Sequence, residues 1–168
     1  MRKRGTSKHI LCQSHNKSIN LTPGGAGYPS VMFGESMNLS QLEKQYCYNA
    51  KRTELAGFLK AEISAIQYYI EPLRIIVFGS FIEDIDSPGD IDVLAHGRVK
   101  SNKLSEYIKN GVNFRYPNEI HVQRDFKMKQ EWEFQFMEAS DLVRKFSSLQ
   151  SVKSNVAFIK NYIEVVLT

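Results

Sequence analysis

IIVFGSFIEDIDSPGDIDVLA, residues 75–95, decides how the rest of the chain is read. It opens with Ile75, Ile76, Val77 and Phe78, an apolar run rich in β-branched residues and closed by a glycine. Such a run predicts a buried strand. Gly79-Ser80 follows as a small-residue turn. There backbone N–H groups can approach a phosphate, the Ser80 hydroxyl can add a hydrogen bond, and a helix starting at Ser80 would favour an anion at its amino end. A turn at Asp86-Ser87-Pro88-Gly89 leads into Asp90-Ile91-Asp92-Val93-Leu94-Ala95, which predicts a second strand. Alternate strand residues share a face, so Asp90 and Asp92 point one way and Ile91 and Val93 the other. Two adjacent carboxylates repel unless a cation lies between them. Mg²⁺ takes a few carboxylate oxygens together with substrate phosphates, and this pair can supply the former. Asp84-Ile85-Asp86 repeats the spelling but runs directly into Ser-Pro-Gly, so it is expected to be a surface turn.

A Gly-Ser turn, a short gap and then Asp, apolar, Asp, apolar resembles the signature of the polymerase β-type nucleotidyltransferases. The resemblance covers about Arg74–Gly97 and is nearest in size to the small stand-alone members, the minimal nucleotidyltransferases. Leu39-x-x-Leu42-Glu43 and Arg52-x-x-Leu55 are similar to the corresponding stretch of bacterial and phage relatives in that group. The resemblance implies that Gly79 and Ser80 hold nucleotide phosphates and that Asp90 and Asp92 bind Mg²⁺ or Mn²⁺. It also implies a third acidic residue on a neighbouring strand.

Asn118–Arg124, NEIHVQR, is where that third residue is sought. Ile120 and Val122 fall on one face, Glu119, His121 and Gln123 on the other, repeating the pattern of Asp90–Val93. Glu119 is the expected third position, able to bind Mg²⁺ or accept a proton; His121 is the alternative, able to act as a base but a poorer ligand for a hard cation.

The 168 residues and net charge of +4 fit one mildly basic globular domain. Arg2, Lys3, Arg4 and Lys8 crowd one end, and residues 16–30 are rich in Ser, Asn, Pro and Gly. Residues 1–35 are therefore expected to be a flexible basic segment, ahead of a domain over 36–168. Cys12 and Cys47 form no CxxC pair and imply free thiols. No secretory or membrane-spanning run is present, so a cytoplasmic location is expected. No HExxH, GxSxG or P-loop lysine is found, which argues against zinc protease, serine hydrolase and P-loop chemistry.

Ser40-x-x-Glu43 has capping-box spelling, predicting a short helix from Ser40. Leu55, Phe58, Leu59, Ile63, Ile66 and Ile70 predict a longer one over Arg52–Ile70, ended by Pro72. Gly97–Asn102 is expected to be a basic loop with Arg98 and Lys100, Lys103 just beyond, able to reach a triphosphate. Leu104–Lys109 predicts a short helix, Glu131–Met137 a strand, Ser140–Phe146 a short helix, and Ser151–Leu167 a terminal helix.

The expected architecture is an α/β (α+β) sandwich, a twisted mixed sheet of about four or five strands with helices mainly on one face. The resemblance implies transfer of a nucleoside monophosphate from a nucleoside triphosphate, with pyrophosphate release, to an acceptor that is a protein, an RNA or a small molecule. The alternative is a catalytically weak or inactive protein of the same fold that binds a protein partner, as in toxin–antitoxin or phage-defence pairs.

Overall fold

The computed structural model describes residues 33–128, 137–154 and 161–167. The order is β1 (Phe33–Asn38), α1 (Leu39–Tyr46), α2 (Ala50–Tyr69), β2 (Ile70–Phe78), β3 (Ile91–Val99), α3 (Leu104–Asn110), β4 (Ile120–Lys127), α4 (Ala139–Ser154) and β5 (Asn161–Val166). The strands form one mixed sheet in the order β1-β5-β2-β3-β4. β2 is antiparallel to both its neighbours, while β1–β5 and β3–β4 run parallel.

The apolar run that opens the deciding stretch takes the centre of the sheet. Ile75, Ile76 and Val77 are fully buried although they alternate between faces, so both faces of β2 are covered. On one face Ile75, Val77, Ile91, Val93, Ile163 and Val165 pack on α1 and α2, with α3 at the margin. Each fully buried Leu or Ile there contributes about 1.5–3 kcal/mol. On the other face Ile76, Leu94 and Tyr162 pack on Ala139, Leu142 and Val143 of α4. Three helices on one face and one on the other give the expected mixed α+β sandwich.

Local chemistry explains the ends of the first two helices. The capping box of α1 is made by Asn38 and Gln41, two residues ahead of the Ser40-Glu43 pair, with reciprocal hydrogen bonds of 2.9 Å. Asn49 caps α2 by accepting from the Arg52 N–H at 3.0 Å. The helix gives way at Tyr69, and Pro72 lies where the β2–β3 register shifts between Ile70 and Leu73.

Four expectations change. β1 starts at Phe33, inside the segment expected to be flexible; residues 1–32 lie outside the described residues. β3 continues to Val99, so Arg98 is in a strand and not in a loop. The helix expected to stop at Phe146 runs to Ser154. The terminal helix over Ser151–Leu167 is overturned: residues 161–166 are β5, paired on both sides. Ile163 and Val166 fit a helical period, but Tyr162 with Ile163 and Val165 fill opposite faces of a sandwiched strand equally well. Residues 131–136 of the strand expected at Glu131–Met137 lie outside the described residues.

Candidate metal centre at the start of β3

Asp92 is the second residue of β3 and Asp90 lies just before the strand. The parallel β3–β4 ladder sets Asp92 directly opposite His121 and Ile91 opposite Ile120. Its first rung is the Ile91 N–H donating to the Glu119 carbonyl at 2.8 Å. His121 Nδ1 lies 3.1 Å from Asp90 Oδ2 and 3.8 Å from Asp92 Oδ1. One ligand atom from each of the three residues falls within 4.8 Å of the others.

The Gly-Ser turn closes on the same point. Phe78 pairs with Asp92 at the end of β2, and the chain then turns into a single 3₁₀ turn over Gly79–Ile82. Gly79 has φ +75°, a conformation that side chains disfavour. A Cβ at Gly79 would also overlap the Asp92 carboxylate. The sequence thus needs glycine here twice over, once for backbone angle and once for space.

Burial raises the Asp92 carboxyl above its usual value, the Asp90 charge raises it further, and His121 opposes both. Among the described residues neither aspartate meets an arginine or lysine; the His121 imidazole is the partner they share. Two half-buried carboxylates and an imidazole, turned toward one another, are a candidate donor set for a divalent cation.

Of the residues singled out by sequence, Gly79, Asp90, Asp92 and His121 are brought together, with Ser80 beside Gly79. Glu119 is not in the cluster. β4 begins one residue after it, so Glu119 sits in the preceding turn and meets β3 through its main chain. Asp84-Ile85-Asp86 is an exposed turn, as expected. Lys100 and Lys103 are at the far end of β3, about 26 Å from Asp92 at the usual strand rise. There they hydrogen-bond to Gln67 and Tyr68 of α2.

Two buried polar side chains of α2 hold the loops on either side of the centre. Arg52 is fully buried, and its guanidinium donates to the carbonyls of Phe81, Glu83 (2.9 Å) and Ile85. It also lies over the rings of Tyr48 and Phe81. Asn49 Nδ2 adds a bond to the Asp86 carbonyl at 2.6 Å. Glu62, equally buried, accepts from the Arg115 N–H at 2.6 Å and from the Tyr116 N–H, fixing the loop that leads into β4. Residues 52, 55, 59, 62 and 66 are spaced by threes and fours, so phase alone sets Arg52 and Glu62 on the buried stripe. That signal was present in the sequence.

The DUF6932 profile matches residues 14–155. The chain belongs to DUF6932, a family of unknown function. The matched span of DUF6932 takes in the whole candidate centre and stops before β5. No curated protein and no solved structure gives a significant match to the chain.

Proposed function

We propose that the chain is a metal-dependent nucleotidyltransferase, moving a nucleoside monophosphate from a nucleoside triphosphate to an acceptor with release of pyrophosphate. The observation that carries this reading is the convergence of Asp90, Asp92 and His121 against the glycine of a Gly-Ser turn. The donor set fits Mg²⁺ or Mn²⁺ through its two carboxylates, and Asp90 and Asp92 would hold the ion. When bound, the cation supplies charge neutralisation at the phosphates. Gly79 and Ser80 hold the phosphates beside the aspartates. His121 takes the third position in place of Glu119, its imidazole facing the two carboxylates from β4. The rigid strands fix these groups, so positioning is the chain's own contribution to the rate.

The test is pyrophosphate release from each of the four nucleoside triphosphates, with Mg²⁺ or Mn²⁺ present. Asp90→Asn and Asp92→Asn are expected to lower it by at least about 100-fold, the scale of losing a key electrostatic group. Their denaturation midpoints are expected to stay at or above that of the parent. Undiminished release in either variant overturns the reading.

A second reading is favoured by one observation, an imidazole at the third position, where the resemblance implies an acid. In it the fold binds a nucleotide or a protein partner without turnover, as one member of a toxin–antitoxin or phage-defence pair. Calorimetric titration with the same triphosphates separates the two: tight binding with no pyrophosphate formed selects the second.

A further inference from the structure

We infer that the centre selects a divalent transition metal, of the Mn²⁺, Co²⁺ and Zn²⁺ class, over Mg²⁺, and that His121 is the ligand that selects. The inference rests on the cation-binding part of the proposed function and deepens it.

The β3–β4 register is the starting point. Because Asp92 pairs with His121, the residue that faces the acidic pair from the neighbouring strand carries an imidazole. Its Nδ1 is turned to both carboxylates, at 3.1 and 3.8 Å. The nearest acid along the chain, Glu119, falls in the turn before β4 and lies outside the group. The protein therefore offers two carboxylate oxygens and one nitrogen.

Those donors are not equivalent for different ions. Mg²⁺ demands oxygen ligands in near-ideal octahedral array and gives up water reluctantly. Exchanging an acidic oxygen for an imidazole removes one of its best ligands. Mn²⁺, Co²⁺ and Zn²⁺ accept imidazole readily, and their affinity for a nitrogen-containing site climbs along the series. His121 is 49 % exposed, so its ring can exchange a carboxylate hydrogen bond for a metal bond without disturbing the core.

The experiment uses the full chain without a histidine tag, titrated by calorimetry with MnCl₂, CoCl₂ and MgCl₂. Pulsed electron paramagnetic resonance of the Mn²⁺ form gives the second readout. A directly bonded ¹⁴N is expected in the parent protein and is expected to vanish in His121→Ala and His121→Asp. The ratio of Mg²⁺ to Mn²⁺ dissociation constants is expected to shrink by about tenfold or more in His121→Asp, which restores an oxygen donor. Mn²⁺ bound with no nitrogen coupling, or a ratio unmoved in His121→Asp, overturns the selectivity while leaving nucleotidyl transfer standing. No binding of any of the three ions by the parent overturns both. The nitrogen signal is read on the parent protein, so it decides the matter even if a variant fails to fold.

Discussion

Asp92 is crowded from three sides: by Asp90 along the strand, by His121 across it and by Gly79 from the turn. On the side of the turn no side chain fits, because a Cβ at Gly79 would overlap the Asp92 carboxylate. Gly79→Ala would have to hold an alanine at a positive φ and push its Cβ into a carboxylate. We expect it to cost about 1–3 kcal/mol in denaturant unfolding from backbone strain alone. Mn²⁺ affinity is expected to fall as well, because relief of the overlap moves Asp92. A variant as stable as the parent that binds Mn²⁺ equally well would show that the turn and the aspartate are independent. At this scale the sequence was highly legible. The Gly-Ser turn and the second aspartate doublet are identifiable by spelling, and Ser-Pro-Gly denies the first doublet a strand. For Glu119, alternation does not tell where β4 begins, and the residue lies in the turn one position before that strand.

Elements carry a different kind of information. β3 and β4 are joined by their ladder and also by a side-chain seam further along, where His96 pairs with Asp125 at 3.1 Å. His96 is buried, and burial holds its imidazole below the usual range although Asp125 pulls the other way. Lys127 and Arg74 add to the depression, and Lys127 and Lys145 meet the same Asp125 carboxylate. A lowered imidazole pKa makes the unfolded chain the better proton acceptor. Stability is thus intact above the ordinary histidine value of about 6.5 and declines as pH falls through that value toward the folded one. Urea unfolding measured between about pH 5 and 8 should show that decline. It should be reduced in His96→Gln, and an identical slope in the variant would place the proton uptake elsewhere. None of this seam was visible beforehand, because it depends on which strands are neighbours. The 3.6-residue stripe of α2 was legible to within a residue or two, since a long amphipathic helix repeats its signal many times. β5 was not, because six residues sandwiched between two layers carry no strict alternation to set against a helical period.

For the molecule as a whole, strand order matters more than strand count. β5 lies between β1 and β2, so the last described strand joins the first to the rest of the sheet. Deleting residues 161–168 is expected to remove β5 and leave β1 without a neighbour. It also exposes one edge of β2, whose apolar residues are otherwise covered on both faces. The expected result is loss of cooperative unfolding and rapid proteolysis near residues 33–38. A truncated protein with the parent's protease resistance would mean that β1 is held by α1 and α2 alone.

That placement also bears on how the chain is made. The segment bearing Asp90, Asp92 and His121 leaves the ribosome as one continuous piece, residues 70–127, whose strands can pair with each other as they emerge. The strand at 33–38 appears earlier still, yet its partner, 161–166, follows residues 70–127. The stretch that carries the candidate centre is therefore made between the two strands of the β1–β5 pair. Among the described residues β1 joins the sheet only through 161–166.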